Sequence, residues 1–129
     1  MEEIAKNDHY EINVDTSKNR LYLKLKGFWK EKSDVPDYLN DIQKSAKRMS
    51  RGFCVLSDLR EMKPPSQDIG ALHMEAQTIY IQAGLDRTAE VLNSAVTKMS
   101  TNRYSDATKM KKMDFNSVEE AEKWLESKT

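Results

Sequence analysis

A mixed α/β fold, with a sheet of about five strands covered by helices, is what this sequence predicts. Three observations carry that reading. Residues 10–14 and 21–25 alternate apolar and polar side chains, the period of half-buried strands. Phe53-Cys54-Val55-Leu56-Ser57-Asp58-Leu59-Arg60 is an apolar run that ends in charge before a Pro64-Pro65 loop. Such a run reads as a strand buried on both faces, set between helices. From there to residue 125 helical and strand periods alternate, which argues for later strands that lie parallel and are joined by helical crossovers.

The elements follow in order. Residues 1–8 are expected to be disordered. Tyr10, Ile12 and Val14 alternate with Glu11, Asn13 and Asp15, and Leu21, Leu23 and Leu25 alternate with Tyr22, Lys24 and Lys26. The polar stretch between them reads as a turn, so the two strands form an antiparallel hairpin that Gly27-Phe28-Trp29 ends. Ser33-Asp34 supplies an N-cap for a first helix, with Pro36 tolerated in its first turn. Val35, Leu39, Ile42, Ala46 and Met49 recur at steps of three and four, one buried stripe. Lys44, Lys47, Arg48 and Arg51 crowd its end, where cations favour the helix dipole, and Gly52 closes it.

After the buried strand a second helix runs from Ser66 to Ala83, with Gly84 at its end; Ile69, Leu72, Ala76, Ile79, Tyr80 and Ala83 share its core face. A fourth strand, residues 88–93, carries Ala89, Val91 and Leu92. A third helix, residues 97–110, takes Met99, Tyr104, Ala107 and Met110 as its apolar members. Met113-Asp114-Phe115 is a short last strand. Ser117-Val118-Glu119-Glu120 is a capping box that opens a final helix burying Val118, Ala121, Trp124 and Leu125. The order is β-β-α-β-α-β-α-β-α, in a single domain over residues 1–129.

Composition bounds the function classes. Lys plus Arg is 21 and Asp plus Glu is 21, so there is no general pull toward nucleic acid or anionic membrane, and the barrier to self-association is low. The single cysteine, Cys54, excludes an intramolecular disulfide, fits a reduced compartment, and reads as a small core hydrophobe. The absence of a leader pattern and of any apolar run of membrane length predicts a cytoplasmic protein without membrane insertion. The four glycines are too scattered to cradle a phosphate. His9 and His73 lack companion ligands, so no metal site is expected, and His73 reads as a boundary histidine satisfied by a neighbour. No acid, base and nucleophile converge, so neither a cofactor nor an enzymatic activity is predicted.

The order of elements resembles the STAS-type fold of bacterial anti-sigma-factor antagonists, and more narrowly the SpoIIAA-like group. The resemblance rests on Leu21-Tyr22-Leu23-Lys24-Leu25-Lys26-Gly27-Phe28-Trp29, on Val55-Leu56-Ser57-Asp58-Leu59-Arg60, and on Phe115-Asn116-Ser117-Val118-Glu119-Glu120-Ala121-Glu122-Lys123-Trp124-Leu125. It implies a regulatory role through a protein partner, such as a kinase or anti-sigma-type regulator. Phosphoswitch members carry an Asp-Ser-Ser/Thr-Gly turn after the buried strand. Here Asp58 matches that aspartate, Leu59-Arg60-Glu61 replaces the rest, and Ser66 is the first hydroxyl near the helix start. Other relatives of the fold stand beside lipid-transfer domains, which leaves an apolar ligand open.

Several residues are candidate contacts. Asp58 and Arg60, past the end of the buried strand, serve either a ligand or partner or a local ion pair. Ser66 is either a plain N-cap or a phosphorylation site, since a phosphate there would meet free N–H groups and a favourable dipole. On the second helix Gly70, Met74, Gln77 and Ile81 form a stripe opposite the core face, which predicts a homodimer or partner contact. Lys98, Arg103, Lys109, Lys111 and Lys112 are either an electrostatic patch or a solvated face. The leading expectation is a non-enzymatic interaction domain with Asp58, Arg60, Ser66 and Trp29 in contact with a partner or ligand. The alternative is a module for a small apolar or amphipathic ligand between the sheet and the second helix, with Trp29, Tyr80 and Met62 on its wall.

Overall fold

The two alternating segments pair as expected, β2 (Tyr10–Asp15) antiparallel to β3 (Arg20–Gly27), in register Tyr10↔Leu25 to Asp15↔Arg20. In the computed structural model, which describes residues 1–127, they belong to a six-stranded sheet rather than one of about five. The additional strand is β1 (Glu2–Lys6), antiparallel to β2, in the segment expected to be disordered. Its turn is made by Asn7, whose side-chain oxygen accepts from the His9 and Tyr10 amides at 2.8 and 3.0 Å. The remaining strands are β4 (Cys54–Met62), β5 (Arg87–Val91) and β6 (Lys112–Phe115), and the pairs β3–β4, β4–β5 and β5–β6 are parallel.

The strand order runs from β1 to β6 without reversal. Right-handed crossovers that always advance in one direction place their helices on one face. Accordingly α1 (Tyr38–Lys47), α2 (Gln67–Gln82) and α3 (Ala95–Thr108) lie side by side, in the order α1, α2, α3. The last helix, α4 (Val118–Glu126), packs on β4, β5 and β6 from the opposite side. A sheet whose order never reverses has no switch-point crevice at the strands' carboxyl ends, where open α/β sheets usually bind ligands.

The larger core lies under α1 and α2, built on Ile12, Leu21, Tyr38, Ile42, Phe53 and Ile69, all at 1 % exposure or less. The smaller one joins Leu56, Ala89 and Val91 to Ala121 and Leu125 of α4. Beyond α4 the same side of the sheet carries ion pairs, Lys26 to Glu11 at 3.1 Å and Lys24 to Glu61 at 2.8 Å.

Two helices depart from expectation for physical reasons. Pro36 disfavours helical backbone at the residue before it, and Val35 sits at φ −134°, so a short 3-10 turn (Lys32–Asp34) comes first and α1 begins only at Tyr38. Ser33-Asp34 therefore does not cap α1; Asp34 accepts from the Lys30 and Glu31 amides instead. On α3 the buried side chains are Thr97, Ser100, Thr101, Tyr104 and Ser105, while Val96 and Met99 are exposed. Thr101 and Ser105 donate to the carbonyls of Lys98 and Asn102 in their own helix, so they enter the interior already hydrogen-bonded.

Candidate functional site

β4 alternates Val55, Ser57 and Leu59 toward the three-helix side, and β5 alternates Thr88 and Glu90 the same way. Above them α2 lowers His73, Ala76, Gln77 and Tyr80, and α3 lowers Thr101 and Tyr104. The small hydroxyl residues of α3 leave the space between helix and sheet incompletely filled. What remains is a cavity of about 50 Å³, closed further by Leu23, Leu25, Met62 and Met110. A water needs roughly 10–15 Å³ of such space, so there is room for a few waters or a short apolar body.

Most of the polar groups on this wall are engaged. The Tyr80 and Ser45 hydroxyls are bonded at 2.8 Å, and the Thr108 hydroxyl donates to the Gln77 side-chain oxygen at 2.7 Å. Glu90, 3 % exposed, accepts from Lys112 Nζ at 2.8 Å, and the same ammonium reaches Asp114 at 2.8 Å. Burial raises the Glu90 carboxyl against the pull of Lys112. Burial pushes Lys112 the other way, but Glu90 and Asp114 more than offset this and keep its ammonium charged.

His73 has no hydrogen-bond partner among the described residues, and neither do the Tyr38 and Ser57 hydroxyls on the same wall. The His73 ring packs between Trp29, Tyr38 and Tyr104, with ring centroids at 5.1, 6.0 and 5.9 Å. Burial alone lowers its pKa to about 4, with no hydrogen-bonding or charged neighbour contributing. The imidazole is therefore neutral at ordinary pH, and it is a buried cavity residue rather than a boundary histidine satisfied by a neighbour.

The sequence-based contact residues do not gather at one place. Arg60 grips Asp58 through two bonds, Nε to Oδ1 at 2.9 Å and Nη2 to Oδ2 at 2.8 Å, and holds the Asp58 carboxyl below its usual range. Ser66 caps α2, accepting from the Ile69 amide at 3.4 Å and donating to the Lys30 carbonyl at 3.2 Å. Trp29 is 2 % exposed, its indole N–H donates to the Lys26 carbonyl, and it stands outside the cavity wall. On the α2 stripe, Gly70 lies under the Tyr104 ring and Gln77 is bonded to α3, so at these positions α3 of the same chain already occupies the face. Met74 and Ile81 are half-buried. Tyr80 and Met62 do line the cavity. Lys112 leaves the basic patch, turned inward to Glu90, and Lys98 lies 3.8 Å from Asp114. Cys54 is half-buried at the start of β4, its thiol 3.9 Å from Asp86, so it is less enclosed than a core residue.

Glu90, Lys112 and the cavity-facing role of His73 are the residues that sequence reasoning missed. One signal was present: a single carboxylate between Ala89 and Val91 in a short apolar strand is rarely left buried without a cation. Among the described residues no group of three or more His, Cys, Asp and Glu is placed to hold a metal, and no helix is long and apolar enough to cross a membrane.

With this geometry in place, the chain is similar in structure to an uncharacterised protein of the DUF3478 family with a SpoIIAA-like fold from Shewanella loihica PV-4. The identity is 16 % and the TM-score 0.64, over 94 % of this chain and 97 % of that one. At that identity the likeness shows the fold, and the chain has a SpoIIAA-like fold. No protein-family model matches it, and no curated protein matches it.

Proposed function

We propose that this chain is a non-enzymatic SpoIIAA-like module that binds a small apolar or amphipathic ligand between its sheet and helices α2 and α3. The observation that carries the reading is the cavity of about 50 Å³ with the His73 ring, 6 % exposed and without a hydrogen bond, on its wall. Cores are ordinarily close-packed, and buried polar groups ordinarily have partners. An incompletely filled space with free hydrogen-bonding capacity on its wall is the default candidate for a binding site. The regulatory reading has less support: Asp58 is closed on Arg60, and α3 covers part of the α2 stripe.

Native mass spectrometry of protein isolated gently from its own cells tests this. The expected result is an added small-molecule mass that Ser57→Leu, which fills the cavity, loses. A bare protein mass in both samples overturns the reading.

A further inference from the structure

Resting on that reading, we propose that the ligand is an uncharged amphiphile that seats a single hydroxyl or carbonyl group on the His73 ring, and that anions are refused. Three features of the wall lead there.

First, the wall is mostly apolar, so the body of the ligand gains by burial of hydrocarbon, and a cavity of about 50 Å³, well below the ~150 Å³ that admits a benzene ring, limits that body to about two or three carbons. Second, the polar groups around it are mostly committed: Tyr80 to Ser45, Gln77 to Thr108, Thr101 to the Lys98 carbonyl, Thr88 to the Met110 sulfur. His73 has no such partner, and a neutral imidazole offers one donor and one acceptor. A hydroxyl answers either nitrogen, and a carbonyl answers the N–H. Ser57 offers a further hydroxyl from the sheet side, and Tyr38 another from α1.

The third feature is charge. A carboxylate or phosphate entering here would be stripped of water, which costs several kcal/mol unless a cation receives it. The nearby cation is Lys112, and two carboxylates hold it at 2.8 Å each. Glu90 itself forms part of the wall and would repel the newcomer. Burial also keeps His73 uncharged, so it supplies no counter-ion.

Ethane, ethanol and acetate share a two-carbon frame and differ only in the group presented to the wall. Titrating each into the amide chemical-shift spectrum of the full chain separates the possibilities. The expected result is ethanol binding at least tenfold more tightly than acetate, with shifts around His73 and Thr101. In His73→Phe the preference for ethanol over ethane should fall about tenfold. Acetate binding as well as ethanol overturns the proposal, as does an unchanged ethanol-to-ethane ratio in His73→Phe. Either failure, with a probe still bound, leaves the cavity reading standing. Failure of all three probes to bind overturns both. Should His73→Phe not fold, the ethanol–acetate comparison on the natural chain decides alone.

Discussion

His73 is held neutral by its place on α2, and that has a thermodynamic consequence. Its folded pKa of about 4 lies below the ordinary 6.5. Between those values the unfolded chain binds a proton that the folded chain does not, so stability rises with pH across the window. The contribution is complete above pH 6.5 and is lost as the pH falls toward 4, to the extent of about 3 kcal/mol. Glu90 acts in the opposite sense: its raised carboxyl pKa means that stability declines as the pH rises above its ordinary value of 4.5. His73→Gln removes the first effect and keeps the second. Urea unfolding at a series of pH values should show a slope between pH 6.5 and 4 that is steeper in the natural chain than in His73→Gln. Equal slopes would mean that the ring is hydrated and titrates normally.

At the scale of elements, the α2–α3 contact turns on a glycine. A Cβ at Gly70 would stand 2.9 Å from the Tyr104 hydroxyl and 3.0 Å from its ring. Alanine favours a helix interior over glycine by up to about 1 kcal/mol, but overpacking a close contact costs about 1–3 kcal/mol. Gly70→Ala should therefore destabilise by about 1 kcal/mol, and in a Tyr104→Ala background the same change should stabilise. A destabilisation of equal size in both backgrounds would show that the two helices do not meet there.

The same contact shows what could be read in the sequence. Gly70, Met74, Gln77 and Ile81 were legible as a second contact face of α2 because they break the expected polar pattern. What was not legible is that α3 of the same chain covers that face at Gly70 and Gln77. α3 buries threonine and serine, whose hydroxyls bond their own backbone, and exposes Val96 and Met99. Hydrophobic periodicity cannot mark a face of that kind. Elements with a plain apolar pattern or a cap, such as β2, β3, β4 and α4, were legible to within a few residues. Glu90 and Lys112 escaped because each reads as surface charge until β5 and β6 pair, with Glu90 opposite Asp114. Of the cavity, Tyr80 and Met62 could be anticipated, since both fall on core-facing positions.

For the whole molecule the open question is how the sheet ends. The edge strand β1 was missed because Glu2, Glu3 and Lys6 leave only Ile4 and Ala5 as apolar residues, too few for a period. That charge suits an edge: lysine, glutamate and an irregular register all discourage pairing with another chain. β1 has all of these, including a register shift between Glu3 and Ala5, and its Glu2 meets Arg48 at 2.7 Å. Beneath it β2 is a regular strand with Tyr10, Ile12 and Val14 fully buried on one side. Deleting residues 1–6 would strip the charged strand and present β2 as a new edge with unpaired N–H and C=O groups. The loss of Ile4 and Ala5 packing should cost about 1–3 kcal/mol, within the range of a single damaging substitution. The exposed edge should also shift part of the protein to larger species on size exclusion, increasingly so with concentration. A truncated chain as stable as the full one, with the same elution at every concentration, would show that β1 is not part of the folded sheet in solution. If instead the shift appears, the charged N-terminal segment has a structural duty: it closes a sheet edge that the hairpin alone would leave open to another chain.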